Sequence, residues 1–308
     1  MRSVFTDLAL ERHQMTQERD REGIELETHK NGSVERTIVK ILTEQAEQTM
    51  QRPRGRYITL SFEQQAQLDL DVRRELADEV ASALAHMLPE EGDVLVVGLG
   101  NRRVTADALG PRVVDATLVT RHLQRHLPQS LSERVRPVSA VAPGVLGITG
   151  METAEVVKGI VRHVNPAAVI AVDALAARES GRICSTVQIA DTGIAPGSGV
   201  GNCRMGLTQG TLGVPVIAIG VPMVVYAATI ARDALSYLVS DVQEDVENRE
   251  QVVDALIERV ITEQLGDLVV TPREVDALID HMSEIVAAGI NQALHPQLDP
   301  AEISLLMS

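Results

Sequence analysis

The stretch Asp93-Val-Leu-Val-Val-Gly-Leu-Gly-Asn101, together with Ala168-Val-Ile-Ala-Val-Asp173, decides the fold of this chain. Each stretch contains an uninterrupted run of small and branched apolar residues, a pattern typical of a short β-strand buried on both faces. An aspartate follows each run: Asp107 lies six residues beyond the first stretch, and Asp173 ends the second. Because ligands bind at the carboxyl ends of strands in an open α/β sheet, we expect the two carboxyl groups to share one crevice.

The composition is that of a globular protein with an acidic surface. The chain has 308 residues, enough for one large domain or two, and 44% of them are hydrophobic. Its formal net charge of −15 argues against nonspecific binding to nucleic acid, which requires Lys and Arg to neutralise phosphates. Aromatic residues make up 2% of the chain and Trp is absent, so surfaces that stack on bases are not expected.

The N-terminus and the cysteines indicate a cytoplasmic location. The first residues lack the apolar stretch of a signal peptide, and no run of 18 apolar residues occurs in the sequence. Cys184 and Cys203 do not form a CxxC motif, which is consistent with free thiols in a reducing compartment. We therefore expect a cytoplasmic protein that does not associate with membranes.

The N-terminal region, residues 6–90, is expected to combine an arm with a few regular elements. Its first part is polar and rich in Arg and Glu, which predicts an arm that is only partly docked. Two strand patterns follow at 36–43 and 56–62, and apolar residues at helical spacing predict an amphipathic helix at about 62–87.

The central region, residues 91–240, alternates between strand and helix patterns. The strand patterns lie at 94–97, 135–141, 168–172, 183–190 and 214–221, and the helix patterns lie at 105–126, 151–164 and 222–240. This alternation predicts an α/β fold with a doubly wound, mainly parallel sheet and helices on both faces.

The C-terminal region, residues 241–308, is expected to be helical and to pack on this core. The last helix has a predicted start at Thr271-Pro-Arg-Glu274. Thr271 would be the N-cap, Pro272 would occupy the first helical position, and Glu274 would complete a capping box.

The aspartate pair is the strongest candidate for chemistry. Two close carboxyl groups cannot both ionise cheaply, so one keeps a proton while the other acts as a base. That arrangement suits the attack of water on a peptide bond. The structural alternatives are a helix N-terminal carboxylate for Asp107 and a hydrogen-bond acceptor for Asp173.

Two glycine-rich segments are candidates for binding. Gly98-Leu-Gly-Asn101 contains half of a dinucleotide fingerprint but lacks the third glycine, because position 103 is Arg, so a tight turn is the favoured interpretation. The loop Gly193–Asn202 could cradle a phosphate with its amides, lie along an extended peptide, or simply connect two elements. The residues alone do not distinguish these three interpretations.

The other reactive side chains do not form a recognisable site. His122 and His126 lie four residues apart beside arginines, which indicates a solvated helix face rather than metal ligands. Ser198 and Cys203 lie near glycines, but no GxSxG turn or evident base accompanies them. We therefore expect neither a metal nor a cofactor.

Several longer motifs resemble the germination protease of spore-forming bacteria. The matching segments span nearly the whole chain and are Thr6–Glu11, Val96–Asn101, Asp107–Pro111, Thr120–Leu123, Pro143–Thr153, Val172–Arg178, Pro196–Asn202, Val270–Asp276 and Gly289–His295. The resemblance implies a fold shared with hydrogenase maturation proteases. It also implies a homotetrameric endopeptidase of the spore core that degrades small, acid-soluble spore proteins at germination.

The resemblance also implies roles for individual residues. The proposed acidic pair of the family maps onto Asp107 and Asp173, and a self-processing cut between Phe5 and Thr6 would make residues 1–5 a propeptide. The residues expected to contact the substrate backbone are Gly98, Gly100, Asn101, Gly144, Gly197, Ser198, Gly199, Gly201 and Asn202.

The chain also departs from the family pattern. Tyr226 stands where an aspartate is expected after Pro222-Met-Val-Val, and the stretch 240–265 is shorter than usual. Two alternatives therefore stay open beside an aspartate-dependent protease. One is a metal-dependent protease of the maturation type, and the other is a catalytically silent protein that binds peptides.

Overall fold

The computed structural model describes residues 6–63, 69–124, 128, 131, 134–195, 205–231, 234 and 268–307. The strands among these residues are β1 (Ile24–Asn31), β2 (Val34–Ile41), β3 (Gly55–Ser61), β4 (Val94–Gly98), β5 (Val138–Val141), β6 (Ala168–Ala177), β7 (Thr186–Ala190), β8 (Val216–Tyr226) and β9 (Val269–Val270). They form one mixed sheet in the order β1-β2-β3-β7-β8-β6-β4-β5, and β9 pairs with β8.

Helices cover both faces of this sheet. The α-helices in the described part of the chain are α1 (Ala9–Met15), α2 (Glu44–Met50), α3 (Leu70–Ala85), α4 (Leu109–Asp115), α5 (Leu146–Thr149), α6 (Thr153–Val164), α7 (Gln209–Leu212), α8 (Val275–Leu294) and α9 (Pro300–Met307). Short 3-10 turns occupy Glu18–Asp20, Thr105–Asp107 and Ser180–Arg182. The α/β class predicted from the sequence is therefore confirmed.

The centre of the sheet is parallel and is buried on both faces. Strand β4 pairs in parallel with β5 and β6, and β6 pairs in parallel with β8. Alternate residues of β4 point to opposite sides: Val96 packs in the apolar cluster that contains α3, α4 and α8. Leu95 and Val97 pack in the cluster that contains α6 and α7. Burial on both faces explains why the strands read as continuous apolar runs.

An antiparallel extension widens the sheet beyond β8. Strands β7, β3, β2 and β1 join in succession, each antiparallel to its neighbour. The strands expected at 36–43 and 56–62 are present as β2 and β3. Strand β1 was not predicted, because it is an exposed edge strand whose charged side chains show no apolar periodicity. On β2, Lys40 forms ion pairs with two carboxylates of β1: its Nζ lies 3.3 Å from Oε2 of Glu25 and 2.6 Å from Oε1 of Glu27.

The helix predicted at 105–126 was wrong in its length. Helix α4 ends at Asp115, and the side chain of Asn291 from α8 occupies its C-terminal end. The amide nitrogen of that side chain donates to the carbonyl of Ala116 (3.1 Å), and its oxygen accepts from the N–H of Leu118 (2.8 Å). A distant residue thus satisfies the backbone groups that further helical turns would have paired.

The helix predicted at 222–240 was also wrong at its start. Strand β8 continues to Tyr226, and helical geometry begins only at residue 227. The apolar run Val221–Val225 is compatible with either a helix or a strand. It forms a strand because β8 pairs with β6 on one side and with β9 on the other.

The predicted capping box at Thr271 does not form. Helix α8 begins at Val275, and its N-cap residue Glu274 makes no side-chain capping bond. The hydroxyl of Thr271 instead donates to the carbonyl of Met223 in β8, at 2.9 Å. The hydroxyl group that was predicted to cap the helix therefore forms a tertiary hydrogen bond instead.

The turn after β4 folds back so that Asp107 returns to the end of its own strand. The N–H of Leu99 donates to the carbonyl of Val172 in β6 (2.8 Å), and the N–H of Asn101 donates to Oδ2 of Asp107 (2.8 Å). Gly100 lies between these two contacts with φ +107°, and a Cβ atom there would lie 2.0 Å from the carbonyl oxygen of Asp107. The turn therefore requires glycine at this position.

Replacing Gly100 with Ala is expected to destabilise the fold by about 1–3 kcal/mol, because the methyl group meets backbone and the dihedral angle is strained. Urea unfolding measures the change. Gly147→Ala is the matched control, since a Cβ at Gly147 meets nothing within 4 Å. Equal stabilities of the two variants would contradict this account of the turn.

The imidazole of His295 at the end of α8 is fully buried, and burial, helped by the charge of Arg136, lowers its pKa to about 4 from the ordinary 6.5. Between about pH 4 and pH 6.5, the unfolded chain therefore binds a proton at this histidine, whereas the folded protein does not. The free energy of unfolding is expected to fall as pH drops through this window, by up to about 3 kcal/mol.

Urea unfolding at pH 7 and pH 4.5 tests this expectation. His295→Gln removes the titrating group, so that variant should lose much of the pH dependence even if it is less stable at pH 7. His122→Gln, at an exposed position, should behave like the parent protein. An unchanged pH dependence in His295→Gln would show that other groups cause the loss of stability.

Candidate active site

A cavity of about 520 Å³ opens at the carboxyl ends of β4 and β6. It exists because β4 ends at Gly98, whereas β6 continues beyond the neighbouring Val172 to Ala177. Asp107 and Asp173 both line this cavity, as the position of the strand ends predicted. The two aspartates chosen from the sequence are thus brought together at one site.

Asp107 reaches the cavity from the 3-10 turn Thr105–Asp107. It is half-buried, and its Oδ2 accepts the hydrogen bond from the N–H of Asn101. The side-chain oxygen of Asn101 in turn accepts from the N–H of Arg103 at 3.0 Å. These local bonds hold the Asp107 carboxyl group in place, and Asn101 also lines the cavity.

Asp173 lies inside β6 rather than past its end, which corrects the expectation from the sequence. The strand runs on through Asp173, whose backbone pairs with Gly220 of β8. The side chain is only 7% exposed, and its Oδ1 accepts from the N–H of Ala174 at 2.9 Å.

The environment of Asp173 favours its protonated form. Burial raises the pKa of Asp173 well above its usual range, and the nearby charge of Asp107 raises it further. The hydrogen bond from Ala174 acts in the opposite direction and is outweighed. One member of the pair therefore holds a proton under conditions in which an ordinary aspartate has lost it, and this is the property that an acid and base pair requires.

The cavity contains a third carboxyl group that the sequence did not single out. Asp7 lines it from the segment that precedes α1, and its Oδ2 accepts from the N–H of Ala176 at 2.9 Å. In the sequence, Asp7 resembles an ordinary helix N-terminal carboxylate, so no local signal marked it. Its charge adds to the rise in the pKa of Asp173.

The glycines expected to bind substrate occupy different places. Gly100 lines the cavity, whereas Gly98 faces α4, where a Cβ atom would lie 2.1 Å from the carbonyl oxygen of Gly110. Gly98 thus has a packing reason for being glycine. Gly144 lies just before the cavity residue Val145, and its carbonyl accepts from the hydroxyl of Thr153 at 3.3 Å.

The second glycine-rich loop is only partly described. Ile194 and Ala195, which lead into it, form part of the cavity wall. The predicted contacts Gly197, Ser198, Gly199, Gly201 and Asn202 lie outside the described residues, as do Phe5, His126 and Cys203. Their roles stay predictions.

Tyr226, the departure noted in the sequence, also lines the cavity. It ends β8, is 9% exposed and pairs with Val269 of β9. An aromatic ring therefore stands at the cavity wall where a further carboxylate was expected. The acids that the described residues place around this cavity are Asp7, Asp107 and Asp173.

Other reactive groups are poorly placed for chemistry. The thiol of Cys184 is buried against the sulfur of Met223, and burial raises its pKa to about 12, so it is not a nucleophile. Among the described residues, no group of three or more His, Cys, Asp and Glu side chains has an arrangement that could hold a metal ion. Within the same part of the chain, none of the helices combines the length and apolar character needed to cross a bilayer.

Comparison with known proteins identifies the family to which this sequence belongs. The sequence profile described as germination protease matches residues 5–263 and 247–306. A germination protease from Clostridium acetobutylicum is 44% identical over 323 residues, covering 99% of both chains. That of Caldanaerobacter subterraneus subsp. tengcongensis is 45% identical over 317 residues, covering 99% of this chain and 98% of its own.

A solved structure is also similar. It is a [NiFe] hydrogenase maturation protease, HycI from Thermococcus kodakarensis KOD1, with 18% identity and a TM-score of 0.36 over 69% of this chain and 98% of that chain. The profile match and the full-length relatives settle the question of family. This chain belongs to the germination protease family.

Proposed function

We propose that the protein is an endopeptidase that hydrolyses small, acid-soluble spore proteins at germination, with Asp107 and Asp173 activating the attacking water. Membership of the family supports a peptidase. The observation that carries the mechanism is the meeting of two carboxyl groups in one cavity, where the pKa of Asp173 is raised well above its usual range.

The surroundings of the two carboxyl groups give them different tasks. Asp107 is more exposed than Asp173 and its carboxyl group accepts the N–H of Asn101, so we assign it the role of general base. Asp173 is buried and keeps a proton, so it is the general acid. Because the charges interact, the pair titrates as a unit, and these roles describe the reactive protonation state.

The proposed reaction proceeds in two steps. Asp107 takes a proton from water as the water oxygen attacks the peptide carbonyl carbon, giving a tetrahedral intermediate. The C–N bond then breaks, and Asp173 donates its proton to the leaving amine nitrogen. At the end, Asp107 carries the proton and Asp173 is ionised, so one proton must pass between the pair before the next turnover.

The cavity offers apolar walls to the side chains of a bound peptide. Val104, Val145 and Val269 line it beside the acids, and Val104 and Val269 are themselves substantially exposed. Such walls remove water from the apolar side chains of a bound peptide. Spore proteins as substrates, a homotetramer and a location in the spore core rest on the resemblance to the family and stay predictions.

The N-terminal segment supports self-processing. Thr6 is fully buried, its hydroxyl donates to Glu11, and its carbonyl accepts from Arg52 at 2.7 Å. The next residue, Asp7, already lines the cavity. A cut between Phe5 and Thr6 would therefore fall next to the residue that precedes Asp7 in the cavity wall.

Replacing Asp107 or Asp173 with Asn is expected to lower kcat by at least about 100-fold, because the base or the acid is lost while the shape is retained. Mass spectrometry of fragments from a purified small, acid-soluble spore protein measures the activity. Asp115→Asn, an exposed carboxylate paired with Arg102, is the matched control and should cleave normally.

Full activity in either active-site variant would refute the acid pair. The same assay separates the alternatives. Loss of cleavage on adding a chelator would point to a metal-dependent protease, and intact substrate with the unaltered protein would point to a silent binding protein.

A chain that begins at Thr6 is expected to be more active than a freshly purified full chain, because residues 1–5 no longer compete for the site. Cleavage rates of the two forms, together with N-terminal sequencing of the full chain over time, measure this. The full chain with Asp173→Asn should keep Met1 throughout. Equal rates from both forms would rule out an inhibitory propeptide.

A further inference from the structure

The N-terminal segment, residues 6–15, is bound to β6 three residues beyond Asp173. The N–H of Asp7 donates to the carbonyl of Ala176 (2.9 Å), and the carboxylate of Asp7 accepts from the N–H of Ala176 (2.9 Å). The register of β6 against β8 shifts between Leu175 and Ala176, so this contact holds the strand at its irregular point. Leu8, the next residue, is fully buried and fixes the segment.

Anchoring alone does not require the carboxyl group of Asp7. The buried carboxylate of Glu11 already ties the same segment to the end of β6, accepting from the N–H groups of Arg178 (2.8 Å) and Glu179 (2.9 Å). Arg182 adds an ion pair to Glu11 at 3.4 Å. Glu11 is not part of the cavity wall, whereas Asp7 is.

The charge of Asp7 acts on two arginines outside the cavity wall and on Asp173 within it. On its outer side, Arg52 lies 3.6 Å from Oδ1, and the charge of Asp7 also acts on Arg12. On its inner side, it raises the pKa of Asp173, after burial and Asp107, despite the cation beside it. Other charged groups near Asp7 include Glu11 of its own segment and Asp107 of the cavity wall.

From this geometry we propose that Asp7 is a positioning residue of the acid pair: it fixes the backbone that follows Asp173 and holds a negative charge beside the cavity, in addition to that of Asp107. The inference rests on the proposed function, because it assigns Asp7 a part in the protonation of Asp173. The mature N-terminus is then a component of the active site rather than an arm that merely packs on it.

The test is the pH dependence of kcat/KM for Asp7→Asn, assayed with a purified small, acid-soluble spore protein in the full chain and in the form that begins at Thr6. The amide oxygen can still accept the N–H of Ala176, so only the charge is lost. The alkaline limb, where the proton on Asp173 is lost, should move to lower pH. Asp7→Ala also removes the hydrogen bond to the N–H of Ala176 and should lower kcat by about 10- to 100-fold.

Glu11→Gln is the matched control, since it alters a buried acid of the same segment outside the cavity. It should reduce stability and leave the pH profile in place. A profile of Asp7→Asn that superimposes on that of the unaltered protein would overturn the proposal.

A second variant keeps the inference testable if Asp7→Asn does not fold. Arg52→Gln removes the cation beside Asp7, so the alkaline limb should move to higher pH. An unchanged limb, or a move to lower pH, would overturn the proposal. If Asp107→Asn and Asp173→Asn are inactive while Asp7→Asn is unaltered, the role of Asp7 alone fails. If the first two stay active, the proposed acid pair itself fails.

Discussion

The burial of the Asp173 carboxyl group within a paired strand is the constraint on which the rest of the site depends. Its backbone is hydrogen-bonded into a sheet that helices cover on both faces. A buried carboxylate without full compensation is costly, and protonation is the cheapest way to avoid that cost. The sheet therefore does more than carry the residue: it decides which protonation state the residue adopts.

The cavity beside Asp173 follows from unequal strand lengths. Strand β4 ends early and turns back through Gly100 to present Asp107, while β6 runs on. The N-terminal segment bonds to Ala176 of β6, beyond the point where β4 ends, and presents Asp7. Two separate connections thus bring carboxyl groups to the cavity of Asp173, and each is held by backbone hydrogen bonds. The site is thus assembled from rigid elements, which suits a reaction that depends on the placement of protons.

The sequence predicted the elements whose signal is strong and local. Buried strands such as β4 read as apolar runs, and the aspartates that follow them were found without reference to any relative. Two predictions of helix ends failed because a side chain formed a tertiary hydrogen bond that the local sequence does not show. Asn291 ends α4 from across the core, and Thr271 bonds to β8 instead of capping α8. Neither outcome can be predicted from neighbouring residues alone, because in each case the local and the tertiary hydrogen bond are both of an ordinary kind.

By itself, the sequence determined the α/β class, the parallel centre of the sheet and the pair Asp107 and Asp173, because burial on both faces imposes a pattern that each strand shows alone. Only the tertiary structure decided that Asp173 lies inside its strand, that Asp7 lines the same cavity, and that the pKa of Asp173 is raised. Those properties arise from desolvation and from charges that meet across about 170 residues of sequence between Asp7 and Asp173. Such distances in sequence carry no periodic signal, and only the folded chain brings the groups together.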